Sequence, residues 1–231
     1  MFYPGFYFDR TMLLLLPAII IAFWAQSKVS STYKKYRTVR TMNGYTGENV
    51  ARMILDSAGL YDVPVVETRG ELTDHYDPRS RVVRLSTDIF HGSSIAAAGI
   101  AAHEVGHAIQ HQEQYKPLVL RTSMATAVNF SSQASIFIFM IGLLFSIPVL
   151  INIGIIFFTV AVFYQIITLP VEFNASRRAL KILESRNILY GNEVNGAKNV
   201  LSAAAMTYVA GVLSSALEML RLILIFTNDR D

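Results

Sequence analysis

The chain contains no cysteine, which excludes disulfides and thiolate metal sites and leaves His, Asp and Glu as the side chains able to hold a metal. Charge is also scarce. Only 16% of the 231 residues are Asp, Glu, Lys or Arg, against about 25% in an ordinary soluble domain. The longest gap is Thr122–Val171, fifty residues with no charged side chain at all. The amino end has one basic residue, Arg10, and no clear Ala-x-Ala site before the basic segment, which argues against a cleaved signal peptide. No internal repeat or low-complexity tail is found. Although the sequence pI is about 9.1, its basic residues are dispersed, so a membrane accounts for them better than nucleic acid does.

What is present is apolar: 52% hydrophobic residues and a mean hydropathy of +0.38. A bilayer core takes roughly 20 apolar residues per helix, so the uncharged run reads as two spans. Ser131–Ile147 and Ile153–Leu169 are the expected spans, with a turn within Pro148–Gly154, where Pro, Asn and Gly cluster. A buried hairpin of a soluble protein is the competing reading, but no other part of the chain is large enough to cover it. Thr11–Gln26 is a further, short span. Phe6, Tyr7, Phe8 and Trp24 suit the aromatic belts at its ends. Val200–Phe226 is a fourth, with Glu218 and Arg221 three apart on one face, a pair that either serves function or marks the interfacial end of the span.

Lys and Arg set the orientation. Seventeen of the twenty lie in Lys28–Arg121 and Arg177–Lys198, and none in the hairpin turn. The positive-inside rule places both segments in the cytoplasm and both termini outside. The expected divisions are a membrane anchor over 1–26, a cytoplasmic segment over 27–130, a hairpin over 131–170, a second cytoplasmic segment over 171–199 and a last span over 200–226.

The cytoplasmic segment has its own pattern. Thr46 is placed to cap a helix with Val50, Ile54 and Leu55 on one stripe, ended by Gly59. Short β-like runs follow at Val63–Glu67, Leu72–Tyr76 and Arg81–Leu85, the last two joined by Asp77-Pro-Arg-Ser80 as a hairpin turn. Ser93 or Ser94 then caps a helix over Ile95–His111. Its first half is small and apolar, hence buried, yet the sequence AAHEVGHAIQH places three of the chain's five histidines in it. Burying two imidazoles and a carboxylate without partners costs several kcal/mol, and a metal is the simplest compensation. His103 and His107, four apart, share a face and can meet one Zn²⁺; Glu104 can reach a metal-bound water rather than the metal. A chance occurrence of so short a pattern is the alternative.

Catalytic zinc usually takes three protein ligands and an open position. His111 lies about 12 Å along the helix from His103 and cannot join the same ion. Gln110 and Glu113 stand where the three-histidine pattern needs Gly and His. Glu172 is the first acidic residue after the uncharged run and returns to the same side as the histidines. Pro170 suits the first turn of a new helix there, and Ser176 faces the same way, able to support Glu172 or a histidine ring. By spacing alone, Glu172 is equally a ligand or a carboxylate favouring a helix N-terminus.

The stretches TGENVARMILDSAGL, LTDHYDPRSRVVRLS, AAHEVGHAIQH and PVEFNASRRAL, in this order and spacing, resemble the YugP-like family of neutral zinc metallopeptidases of bacterial membranes. That family is related to the HtpX-like membrane gluzincins, whose third ligand is the Glu of a Glu-x-x-x-Asp motif after a membrane hairpin. The resemblance implies Glu172 as the third ligand, with Ser176 standing where those relatives carry Asp. The expected molecule is mainly α: about four transmembrane helices and a cytoplasmic α+β, gluzincin-like zinc protease domain in the inner (plasma) membrane. In the expected chemistry Glu104 assists attack of zinc-bound water on a protein or peptide substrate. His75, Tyr76, Arg177 and Tyr208 are candidates to polarise the carbonyl, Ser176 and His111 candidates to support the site. A strand of residues 72–85 could offer its edge to the peptide. A zinc-stabilised scaffold without catalysis is the alternative, and a metal transporter a weaker one. Oligomeric state is not legible.

Overall fold

A computed structural model describes residues 10–228; the expected aromatic belt at Phe6–Phe8 lies outside them. A 3₁₀ turn, Arg10–Leu15, leads into α1 (Leu16–Tyr36), with Pro17 in its first turn, where a missing N–H costs nothing. The helix runs on past Gln26, out of the apolar run, and ends with Lys34 and Lys35 against its negative dipole end. Among the described residues, four helices are long and apolar enough to cross a membrane, and α1 is the first.

Between α1 and the next such helix lies the small α+β segment. Helix α2 (Gly47–Ser57) starts with a reciprocal cap: the Asn49 N–H donates to Thr46 Oγ1 and the Thr46 N–H to Asn49 Oδ1, each at 3.2 Å. Gly59, at φ +74°, turns the chain out of it. Three strands follow, β1 (Val65–Thr68), β2 (His75–Asp77) and β3 (Val82–Ser86), in the order β1-β3-β2. The β2–β3 hairpin is antiparallel, as its turn chemistry predicts. Ser80 Oγ donates to Asp77 at 2.6 Å and the Arg79 N–H at 2.9 Å, holding the Asp77 carboxyl down at about 2. Pairing of β1 parallel to β3 has no local signature in the sequence. After a single turn, α3 (Thr87–Phe90), Ser94 Oγ accepts the Ala97 N–H and opens α4 (Ile95–Gln112). Helix α4 is the centre of the core: its alanines are buried against α2, the sheet, and the two long helices Pro148–Ser185 and Asn192–Asn228.

The hairpin differs from expectation. Helix α5 (Lys116–Leu144) turns at Phe145–Ile147 into α6 (Pro148–Ser185), so the turn precedes Pro148 instead of spanning Pro148–Gly154. Pro148 occupies the first turn of α6. Gly154 is a packing residue, since a Cβ there would lie 2.7 Å from Phe139 Cβ across the hairpin. Small residues are what lipid-embedded helices use to approach closely. A second correction concerns Pro170, which starts no new helix but sits inside α6. A proline removes one backbone bond, a loss that neighbouring helices and local adjustment make tolerable in membrane segments. The consequence is one of length. At 1.5 Å per residue α6 is about 57 Å long, well beyond the roughly 30 Å that a hydrocarbon core requires, so its last turns extend past the part long enough to span one. Helix α7 (Asn192–Asn228) returns alongside α1 and α6, and its Glu218 and Arg221 pair at 3.0 Å.

Candidate active site

Helix α4 presents His103, Glu104 and His107, and the projecting end of α6 lies against them. Contact there is close because position 106 has no side chain: a Cβ on Gly106 would lie 2.9 Å from the Ala175 carbonyl oxygen. Glu172 lies one helical turn before Ala175 and Ser176 directly after it, so the same close approach brings both to the histidines. Glu172 and Glu104 are buried, at 3% and 8% exposure.

His103 Nε2 and His107 Nε2 are 3.2 Å apart. Glu172 Oε2 lies 3.3 Å from the first and 3.6 Å from the second. The three donor atoms lie within 4.8 Å of one another. Their other hydrogen bonds decide what they can be. Gln110 Nε2 donates to the Val171 carbonyl at 2.8 Å and to Asn174 Oδ1 at 2.9 Å. Its Oε1 therefore faces His107 Nδ1, 3.0 Å away, and can only accept, so a proton sits on Nδ1 and Nε2 is the nitrogen the neutral ring can offer to a metal. The Ser176 hydroxyl lies 3.1 Å from His103 Nδ1 and is able to accept from it in the same way. Two imidazole Nε2 atoms and a buried carboxylate oxygen with no hydrogen-bond donor of its own thus converge on one point. Burial disfavours charge on His107, yet Glu172, with Glu104 behind it, outweighs burial and raises the imidazole's pKa. Such a cluster calls for a cation, and an N₂O set of this kind suits zinc.

Two surrounding residues were not singled out as site residues in the sequence. Gln110 fixes His107 and is itself fixed through Asn174, which accepts from Arg178 Nε at 2.7 Å. Its place three residues after His107, on the same helical face, is a local signal that could have revealed it. Arg121 on α5 was counted only among the orienting charges; its Nη1 lies 3.0 Å from Glu172 Oε1, the oxygen turned away from the histidines. Nothing local marks that pairing.

The other candidates divide. Ser176 holds His103, as the sequence allowed. His111 stays out of the cluster and meets the Tyr76 hydroxyl at 2.8 Å. Tyr76 enters the site through its backbone: its N–H donates to Glu104 Oε2 at 2.9 Å, which pins one oxygen of that carboxylate and engages the β2 edge. His75 is exposed, its Nδ1–H on the Thr73 carbonyl. Arg177 is exposed and lines neither of the cavities beside the cluster. Tyr208 lines both of them, as does Asp74, whose burial raises its pKa while the Ser86 N–H and hydroxyl partly offset it.

Residues 11–227 match the family described as "Putative neutral zinc metallopeptidase". The chain belongs to this family. It is 54% identical over 218 residues to a Bacillus subtilis (strain 168) protein described as "Putative membrane protease YugP", covering 94% of this chain and 97% of that relative. No solved structure matches. Zinc is thus the metal implied for the site, and His103, His107 and Glu172 are the residues able to hold it.

Proposed function

We infer that this membrane protein is a zinc endopeptidase of gluzincin type whose site opens to the cytoplasm. One observation carries the reading: two imidazole nitrogens and a buried carboxylate oxygen converge while a second carboxylate, Glu104, stands beside them without joining. A purely structural zinc site would close all four positions with protein ligands. Zinc, when bound, supplies a Lewis acid that lowers the pKa of a water towards about 7 and polarises a carbonyl.

Glu104 does the proton work. Its Oε2 is held by the Tyr76 N–H, leaving Oε1 to take the proton of the attacking water and hand it to the leaving amine. Of the candidates to meet the developing oxyanion, Tyr208 is favoured because it alone lines both flanking cavities with its hydroxyl not engaged by His111 and its place not outside the cleft. Arg121 keeps Glu172 turned so that one oxygen faces the histidines. The cytoplasmic orientation rests on the Lys and Arg distribution, and a site at the bilayer edge points to membrane-associated or misfolded proteins as substrates.

Glu104→Gln tests the reading. The variant should keep zinc near one per chain and lose casein cleavage, because an amide cannot take the water's proton. Cleavage at the wild-type rate would remove Glu104 from the role of base. Wild-type protein that binds zinc but cleaves nothing would favour the scaffold.

A further inference from the structure

The cluster lies between two cavities, of about 340 Å³ and about 270 Å³. Five residues border both: Asp74, His103, Glu104, Glu172 and Tyr208. The cleft therefore continues past the cluster on either side, as an extended chain cut at its middle requires. Its two halves differ in chemistry. The smaller is walled by Arg79, Asp77, His75 and Arg121, from the β2–β3 turn and the start of α5. The larger contains no Lys or Arg; away from the cluster it is walled by Val29, Ile100, Val200, Leu201, Ala204 and Ala205. Two of its walls, α1 and α7, are membrane-crossing helices, and its α1 residues, Gln26 to Tyr33, lie where the apolar run of α1 gives way to polar sequence.

We propose that the larger cavity is the specificity pocket: it receives a bulky apolar side chain next to the scissile bond, while the chain on the other side of the bond lies among polar and charged groups. The preferred substrate is accordingly a segment at the cytoplasmic boundary of a membrane protein, where apolar sequence passes into polar. This rests on the peptidase reading and adds the substrate class to it. Apolar pockets with a few placed polar groups are the usual form of such sites, and Ala204, a small residue on the α7 wall, is among those lining it, so a larger side chain there would take up part of the volume.

The test uses the full chain in lipid nanodiscs with a quenched-fluorescent peptide series varied at the positions flanking the cut, products sequenced by mass spectrometry. Wild type should favour Leu, Ile or Phe over Ala or Gly at one flanking position by at least tenfold in kcat/KM, the scale of discrimination that apolar pockets achieve. Ala204→Phe should remove that preference through KM, with zinc content retained. Val200→Ala, which enlarges the pocket and carries the test should Ala204→Phe fail to fold, should shift preference towards Phe and Trp. Glu104→Gln and the zinc content of wild type separate the two levels. Zinc-loaded wild type that cleaves no peptide of the series overturns the peptidase reading itself, and cleavage that survives Glu104→Gln removes Glu104 from the role of base. Activity that is lost in Glu104→Gln, with no size preference in wild type or an unchanged one in both pocket variants, overturns the pocket alone.

Discussion

At the scale of single residues, the site is defined by which nitrogen carries a proton. His107 can offer Nε2 only while Gln110 accepts from Nδ1, and Gln110 can accept only while its amide is oriented by Val171 and Asn174. Gln110→Leu keeps much of the volume but removes the acceptor and leaves a buried ring N–H unpaired. Zinc affinity should fall about 10–100-fold, the usual effect of losing a group that orients a ligand, as measured by competition with a chelator. Ser176→Ala should cost less, since Ser176 is only half-buried, unlike Gln110, and a water can replace its hydroxyl. Equal affinity in Gln110→Leu and wild type would mean the tautomer is set by something else. The meeting of His103 and His107 was legible because the two are spaced within one helix. Gln110 was overlooked because its value lies in its partners, and those come from α6.

At the scale of elements, two glycines and one long helix do most of the positioning. Gly106 admits α6 to within contact of α4, and Gly154 lets α5 and α6 close on each other. Gly106→Val should cost about 1–3 kcal/mol by overpacking and, by pushing α6 away, should abolish zinc binding even where the chain remains folded; retained zinc with unchanged melting temperature would show that the contact is not needed. The sequence read α2, α4 and the β2–β3 hairpin well, because caps, helical stripes and turn residues are local. It misplaced the hairpin turn and broke α6 at Pro170, since Pro, Asn and Gly carry turn meaning in water that they lose in a helix surrounded by lipid. The parallel β1–β3 pairing had no local mark either.

At the scale of the whole molecule, the ligand set is assembled across a membrane excursion: the histidines precede the hairpin and Glu172 follows it. Because the chain has no native cysteine, single cysteines report topology cleanly. Tyr61→Cys and Asn192→Cys should resist a membrane-impermeant thiol reagent in intact cells, while Phe145→Cys, in the turn between α5 and α6, should be labelled; the reverse pattern would put the site outside. The central claim is that His103, His107 and Glu172 together hold the zinc. The most direct test is zinc stoichiometry of purified Glu172→Ala beside His111→Ala. The account predicts zinc lost from Glu172→Ala, because two histidines and water hold the ion poorly, and zinc near one per chain in His111→Ala; full occupancy in Glu172→Ala with loss in His111→Ala would contradict it.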